Sequence, residues 1–476
     1  MNVPTNRTDV RALWQTASLF LSAVLLSGAL ITVALPPSGK GIVAWFPLAP
    51  VFYATRNTRF ITGFTVSILA SFFAAFLATK GVFYSHGGPT GEPAWIYVGC
   101  TIFGIVFAFV AGISAEGRRT GWVGLIVLSA LGVMLEYATL LLMPAPFEGS
   151  QSKSALMLML ASITGIWGIG FSLWLVNLAW PMLIDKRSSW LSLLLLFCAV
   201  TAFGLPQVKT TDAKDSVTVG VVQAFPGELF TKLKDGNRGV SSYLHEANLR
   251  SASLVVLPEF GGLAFAHNGK TDSLTNLAHQ RGIPAFVTTF WDDAKPLPHN
   301  ASSVFDSTGE SERYFKQRLF GSENSMSTPG SKPKAVESIV GKLGLNICYD
   351  SCFPSIIRET ARLGADIIAL PTIDPDSPYG FFAANHAALS PIRSAENGVS
   401  IIRCDGYAYS SITDPNGREV LELFPDSKEA VGVATIPRLG HKTVYRALGD
   451  WFVVLCGLIL AWWAQARIRE IKAKKA

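Results

Sequence analysis

The chain has 476 residues, of which 49% are hydrophobic and only 16% charged, with a formal net charge of +6 at pH 7. Soluble domains carry about 25% charged residues, so this composition excludes a disordered chain and argues against an ordinary cytosolic enzyme. The charges are also unevenly spread. We therefore predict three parts: an apolar membrane bundle (1–207), a globular domain of ordinary composition (208–448), and a last membrane helix with a basic tail (449–476).

The apolar parts predict seven membrane spans before the globular domain and one after it, since a crossing requires about 20 apolar residues, or fewer where the helix is broken or re-entrant. The second predicted span is short and contains Pro47 and Pro50, so we expect it to be tilted or broken. The predicted spans are 16–35, 42–55, 60–79, 94–114, 121–143, 156–184, 190–206 and 450–466.

Basic residues predict the orientation of these spans, because cytoplasmic loops are enriched in Lys and Arg. They cluster at the N-terminus, in every second loop and in the tail: Arg7, Arg11, Arg56, Arg59, Arg118, Arg119, Lys186, Arg187, Arg467, Arg469, Lys472, Lys474 and Lys475. Both termini are then cytoplasmic and the globular domain lies outside. That domain contains no basic run, so we predict no nucleic-acid partner.

Glu136 lies inside an apolar run, 133–143. An ionisable group at membrane depth indicates a functional site by default. The alternative is a carboxyl group that faces the interior of the bundle and has a hydrogen-bond partner, and the sequence leaves both open.

The globular part alternates short Val- and Ile-rich runs with helical patterns, which predicts a layered α/β or α+β domain. The predicted strands are 216–223, 253–257, 285–290, 342–347, 366–370 and 399–403. The predicted helices are 273–280, 355–363 and 382–396, and Asp414-Pro-Asn-Gly417 indicates a hairpin.

Three reactive residues stand at the ends of predicted strands. Glu259 follows a buried run and Pro258, Lys316 closes a short run, and Cys348 follows an apolar strand. Taken singly, a cysteine is usually a small core hydrophobe. Glu259 alone would suit a loop carboxylate, and Lys316 alone would suit a surface lysine. Together they supply a base, an oxyanion stabiliser and a nucleophile for acyl transfer.

This order of Glu, Lys and Cys resembles the nitrilase superfamily. With apolar spans on both sides of the domain, nearly the whole chain is similar to the apolipoprotein N-acyltransferase family. The matching motifs are Val221-Val-Gln223, Pro258-Glu259, Lys316, Phe320-Gly321 with Glu323, Ile347-Cys-Tyr349, Arg393-Ser-Ala-Glu-Asn-Gly398 and Thr443-Val-Tyr-Arg-Ala-Leu-Gly-Asp-Trp451. In the membrane half, Glu136 stands where the family tends to have a glutamate.

The resemblance implies an extracytoplasmic αββα sandwich beside a polytopic helical bundle in a bacterial inner membrane. It implies that Glu259 is the base, that Cys348 is the nucleophile, and that Lys316 with the backbone N–H of Tyr349 binds the oxyanion. Glu323 and Asp350 would orient Lys316 and the thiol, although Asp350 could instead cap the helix after Pro354. The implied partners are a phospholipid acyl donor, a diacylglyceryl lipoprotein acceptor and the lipid of the membrane.

The sequence departs from the family pattern at two places near the predicted site. Asp350 replaces a usual glutamate, and the loop from Leu319 to Glu323 is shorter and lacks a proline, which leaves the substrate open. The alternatives are a membrane-tethered amidase and a non-catalytic scaffold or transporter. A disulfide between Cys348 and Cys352 is disfavoured because it would silence the nucleophile. We find no metal-ligand spacing or nucleotide-binding motif and predict no cofactor, and we expect a monomer.

Overall fold

The computed structural model describes residues 7–80, 92–115, 121–140, 147–184, 215–224, 239–261, 270–293, 295–374, 380–425 and 431–475. The chain divides into two compact units. The first comprises Met1–Gln151, Ile166–Leu205 and Asp450–Ala476, and the second comprises Ser152–Gly165 and Pro206–Gly449. The boundary predicted after residue 207 lies outside the described residues.

The first unit is helical and apolar. Its helices are α1 (Arg7–Ala34), α2 (Ala49–Thr55), α3 (Phe60–Ala78), α4 (Glu92–Ala115), α5 (Gly121–Thr139), α7 (Ile166–Ile184) and α15 (Trp451–Lys475). Within the described residues, five helices are long and apolar enough to cross a membrane, or six if the helices on either side of Gly165 count as one broken span. The protein is therefore a multi-pass membrane protein, as predicted.

Two predicted spans are broken, the one at 42–55 as expected, and a third falls outside the described residues. The span at 42–55 is a 3₁₀ turn, Gly41–Trp45, followed by the short helix α2. The span at 156–184 is wrong as a continuous helix, since the chain breaks at Gly165 between α6 (Ala155–Thr164) and α7. The span at 190–206 lies outside the described residues.

Gly165 explains the break in the sixth predicted span. Its φ is +71°, a left-handed conformation that favours glycine. A Cβ atom at this position would also lie 2.4 Å from the ring of Tyr445, so the chain passes too close to that ring for any side chain. Hydropathy does not detect either constraint, because the residues on both sides of the glycine are equally apolar.

Glu136 lies on α5 and faces the interior of the helical unit, with 1% exposure. Its Oε1 accepts a hydrogen bond of 3.0 Å from the indole nitrogen of Trp174. Gly170 lets Glu148 approach, since a Cβ atom there would lie 2.6 Å from Oε1 of Glu148 and 3.0 Å from Oε2 of Glu136. The carboxyl group therefore has the buried, partnered setting that was one of its two sequence interpretations.

The second unit contains two β-sheets in its described part. The first has the order β13-β1-β2-β3-β4-β5, with β6 also paired to β4, and the second has the order β12-β11-β10-β9-β8-β7. The strands are β1 (Ser216–Val222), β2 (Leu254–Val256), β3 (Ala285–Asp292), β4 (His299–Asp306), β5 (Gly309–Glu310), β6 (Tyr314–Phe315), β7 (Lys334–Ser338), β8 (Gly341–Leu345), β9 (Ile367–Thr372), β10 (Ser400–Asp405), β11 (Ser410–Thr413), β12 (Glu419–Leu423) and β13 (Val431–Pro437).

The two sheets pack face to face and helices cover their outer faces. Side chains of both sheets, such as Val219, Leu343 and Ile402, form the core between them. The helices of this unit are α6, α8 (Val240–Leu249), α9 (Asp272–Ala278), α10 (Glu323–Met326), α11 (Pro354–Arg362), α12 (Phe381–Ala387), α13 (Leu389–Asn397) and α14 (Val444–Leu448). Helices α8 and α9 pack on the first sheet and α11 on the second, which confirms the predicted αββα sandwich.

The predicted strands are all present, and their alternation explains their burial. In β1, Val219 and Val221 face the core between the sheets whereas Val222 faces α8. The helix predicted at 382–396 is two helices, α12 and α13, which meet at Ala388. The sequence did not predict β4, although this strand bears a residue of the site.

Truncation of Leu343 tests the core between the sheets. Leu343 is fully buried, and Leu343→Ala should cost about 2–5 kcal/mol of stability through lost contacts and a residual cavity. For a domain of this size that lowers the melting temperature by roughly 4–20 °C. Thermal unfolding of the full chain in detergent measures the shift. The matched control is Leu249→Ala at a 73% exposed leucine, and equal melting temperatures for the two variants would contradict this core.

Candidate active site

The site lies where strands of both sheets end. Strands β1, β2 and β3 run parallel to one another, as do β8, β9 and β10, and ligand sites beside parallel strands form beyond their carboxyl ends. Glu259 follows β2 and Cys348 follows β8. The two ends are joined by a hydrogen bond of 3.1 Å from the backbone N–H of Glu259 to the carbonyl of Thr372, at the end of β9.

Lys316 lies between two buried glutamates. Its Nζ donates to Oε1 of Glu259 at 2.8 Å and to Oε2 of Glu323 at 2.6 Å. The amide of Asn300 bridges the same pair, donating to Glu259 at 2.7 Å and to Glu323 at 2.9 Å. The side chain of Lys316 is 2% exposed and that of Glu259 is 1% exposed. We call Glu259, Asn300, Lys316 and Glu323 the lysine cluster.

The charges of the lysine cluster set its protonation. Burial opposes the charge on Lys316, but Glu259, Cys348 and Glu323 outweigh it and raise the pKa of the ammonium well above its ordinary value. Burial raises the pKa of Glu259, Lys316 lowers it, and Glu323 raises it again, with a net upward shift. Lys316 therefore stays charged, and Glu259 is a stronger base than an exposed carboxylate.

Cys348 opens a 3₁₀ turn, Cys348–Cys352, and is 5% exposed. Its φ is +46°, a left-handed conformation that costs a non-glycine residue on the order of 1–3 kcal/mol and is typical of functional sites. Burial, followed by the charge of Glu259, raises the pKa of its thiol. The resting group is thus a neutral thiol that requires a base to become a nucleophile.

Glu259 has one oxygen available for that proton. Both donors from the lysine cluster reach its Oε1, and Oε2 receives no N–H or O–H donor within the described residues. The thiol of Cys348 is close enough to interact with this carboxyl group and to lower its pKa. The structure thus brings together Glu259, Lys316 and Cys348, and the carboxyl group that interacts with the thiol keeps one oxygen without an N–H or O–H donor in the described part of the chain.

Asp350 connects the loop that follows Lys316 to the turn that contains Cys348. Its Oδ1 accepts from the backbone N–H groups of Gln317 and Arg318 at 3.1 and 2.9 Å. Its Oδ2 accepts from the hydroxyl of Tyr314 at 2.7 Å and from the N–H of Ile347 at 3.0 Å. Burial raises the pKa of Asp350 to about 6, which leaves it ionised at neutral pH. The contacts of Asp350 are with residues of the site, so its role goes beyond capping the helix that follows Pro354.

Tyr349 is half-buried beside the nucleophile. Its ring contacts Phe320 and Phe353, with centroid separations of 5.1 and 5.3 Å. Phe320 in turn contacts Phe382 at 5.2 Å. An aromatic wall therefore adjoins Cys348, which suits an apolar substrate group.

The thiols of Cys348 and Cys352 are both free, so the turn carries no disulfide.

The sequence did not predict four polar residues around the nucleophile: Asn300, Asp374, His386 and Arg403. Asp374 follows β9, so the reasoning that found Glu259 could have found it. Cys348, Asp374 and His386 also present donor atoms within 4.8 Å of one another, which is a spacing that a metal ion could use. We assign them no metal, because both oxygens of Asp374 already have partners, Oδ1 in the ring of His386 and Oδ2 in the guanidinium of Arg403.

Comparison with known proteins matches both halves of the chain. The family model "Apolipoprotein N-acyltransferase N-terminal domain" matches residues 27–179, and the model "Carbon-nitrogen hydrolase" matches residues 218–442. An amidase from Nesterenkonia sp. has a similar structure, with a TM-score of 0.40 and 21% identity, covering 50% of this chain and 94% of that one.

Two relatives are apolipoprotein N-acyltransferases. The protein from Geobacter metallireducens is 24% identical over 497 residues, covering 92% of this chain and 93% of its own length. Apolipoprotein N-acyltransferase 1 of Treponema denticola is 32% identical over 121 residues, which is 25% of this chain and 22% of that protein. The two models match in tandem and the Geobacter relative aligns over nearly the full length, so both halves of the chain are similar to the apolipoprotein N-acyltransferase family.

Proposed function

We propose that this protein transfers a fatty acyl chain from a phospholipid, through a thioester on Cys348, to the N-terminal amine of a diacylglyceryl-cysteine lipoprotein. The observation that carries the proposal is the carboxyl group of Glu259, which interacts with the thiol of a strained Cys348 and keeps its Oε2 free, with the ammonium of Lys316 held between two glutamates. Relatives named apolipoprotein N-acyltransferase support the choice of acceptor.

The first step forms the thioester. Oε2 of Glu259 takes the thiol proton, and the sulfur attacks the carbonyl carbon of a phospholipid ester. The oxyanion is stabilised by Lys316 and by the backbone N–H of Tyr349, and such preorganised donors act strongly in a buried site. As the C–O bond breaks, Glu259 returns the proton to the departing alkoxide, and lysophospholipid leaves.

The second step consumes the thioester. The amine of the lipoprotein attacks the same carbonyl carbon, Glu259 accepts a proton from the nitrogen, and the C–S bond breaks to restore the thiol. A thioester is reactive enough to acylate an amine, and the two steps make a ping-pong cycle. Glu323 fixes Lys316, and Asp350 fixes the turn, so both act as positioning residues.

The setting of the reaction follows from the charges of the loops. We place the protein in a bacterial inner membrane, with both termini in the cytoplasm and the sandwich domain on the periplasmic or outer face, because basic residues occupy alternate loops. Both substrates then lie in the leaflet that this domain faces.

We propose that the protein acts as a monomer. Hydrolysis of small amides is the rival activity, in which water resolves the thioester.

Intact mass spectrometry tests the thioester directly. After incubation with phosphatidylethanolamine, the full chain in detergent should gain the mass of one fatty acyl chain, and hydroxylamine should remove it. Cys348→Ala should show no gain. The matched control is Cys352→Ala, a buried cysteine of the same turn, which should acylate like the wild type. An adduct on Cys348→Ala, or no adduct on folded wild type, would overturn the proposal, and turnover of small amides would then favour the amidase.

Glu323→Gln tests the charge relations of the lysine cluster. Without the negative charge of Glu323 the pKa of Glu259 falls, so Glu259 remains an ionised base to lower pH. We expect the acid limb of the acylation rate to move to lower pH. The maximal rate should fall roughly tenfold or more, since hydrogen bonds between charged groups are worth about 1.5–3 kcal/mol. Rates of adduct formation measured across pH give both quantities. An acid limb that stays in place or moves to higher pH is inconsistent with Glu259 as the base.

A further inference from the structure

A second buried charged cluster lies against Cys348, and the reaction proposed above uses none of it. It consists of Asp374, His386 and Arg403, which are 2%, 4% and 0% exposed. We call these residues the histidine cluster. Asp374 follows β9, His386 lies on α12, and Arg403 is part of β10. Three separate elements therefore converge on one point, and buried charges of this kind require specific partners.

The contacts within the histidine cluster define its charges. Nδ1 of His386 lies 2.7 Å from Oδ1 of Asp374. Nη2 of Arg403 donates to Oδ2 of Asp374 and, at 3.1 Å, to Asp405. Although burial raises the pKa of Asp374, His386 and Arg403 lower it to about 2, so Asp374 is anionic. Nδ1 of the ring must then carry a proton that it donates to this carboxylate.

The other ring nitrogen faces the nucleophile. Nε2 of His386 lies 2.8 Å from Oγ of Ser351 and 3.2 Å from the carbonyl oxygen of Cys348. The hydroxyl of Ser351 donates its proton to that same carbonyl at 2.9 Å. The ring of His386 therefore connects Asp374, through Nδ1, to the turn that contains Cys348, through Nε2.

The carbonyl that receives these hydrogen bonds belongs to the strained residue. A φ of +46° at Cys348 persists only where neighbouring groups hold it. The guanidinium of Arg393 holds the same turn from its other end, donating to the carbonyl of Ser351 at 2.8 Å. Release of the Cys348 carbonyl would let the residue relax and carry its sulfur away from Glu259.

We propose that His386 is a positioning residue for the nucleophile: held by Asp374, its ring is hydrogen-bonded to Ser351 and lies against the Cys348 carbonyl, and so it keeps the sulfur next to Glu259. The groups that face the ring are Asp374 after β9, Cys348 and Ser351 in the turn, and Phe382 one turn earlier on α12, at a centroid separation of 6.1 Å. Arg403 acts on it through Asp374.

The inference concerns the thiol itself, so it can be tested without the substrates of the proposed function. The full chain in detergent is alkylated with iodoacetamide, and the adduct on Cys348 is followed by mass. We expect His386→Leu to slow this alkylation on the order of a hundredfold, the loss that a displacement of about 1 Å can cause. His386→Gln keeps an N–H donor at the position of Nε2 and should recover part of the rate.

His299→Gln is the matched control, because this half-buried histidine of the same domain stacks on Phe315 instead. It should alkylate like the wild type. Melting temperatures are measured alongside, and Ser351→Ala, which removes the other donor to the Cys348 carbonyl, should also slow alkylation. Equal rates for His386→Leu and the control, or equal rates for the Leu and Gln variants, would overturn the proposal. If His386→Leu alkylates slowly while the wild type never forms an acyl adduct, the role of His386 is sustained and the proposed function is rejected.

Discussion

The site depends on one buried ammonium group held between two carboxylates. Lys316 is almost fully buried, and a lone charge in that position would be strongly destabilised. Glu259 and Glu323 compensate for it, and Asn300 bridges both carboxylates. Burial is the main cause of the raised pKa of Glu259, and the charge of Glu323 offsets part of the lowering by Lys316. Stability and reactivity thus share the same hydrogen bonds.

The sandwich places these groups by bringing two sheets together at the carboxyl ends of their parallel strands. Neither sheet contains the site alone: Glu259 and Lys316 come from the first, and Cys348 and Asp374 from the second. The core between the sheets is apolar and well packed, so the distance between the two halves of the site is set by side-chain volume. Three charged residues of the site, Glu259, Lys316 and Asp374, follow the ends of β2, β6 and β9.

Much of the fold could be predicted from the sequence, as could Glu259, Lys316 and Cys348 as residues of the site, because both leave local signals. A buried strand that ends in a carboxylate or a cysteine is visible in a short window, as at Glu259 and Cys348. Asp374 has the same signal after β9. Asn300 and His386 have none, since a polar residue within a strand or helix acquires its role only from partners distant in sequence. The break at Gly165 was unpredictable for a similar reason, because it depends on the ring of Tyr445.

Asp350 links the loop after Lys316 to the turn that contains Cys348. Its two oxygens bind the main chain on both sides, the residues after Lys316 and the residue before Cys348. The loop that follows Lys316 and the turn that contains Cys348 are therefore connected through one carboxylate. A compound that displaced this loop would also displace the cysteine turn, so in the proposed reaction a single contact would disturb both the oxyanion stabiliser and the nucleophile.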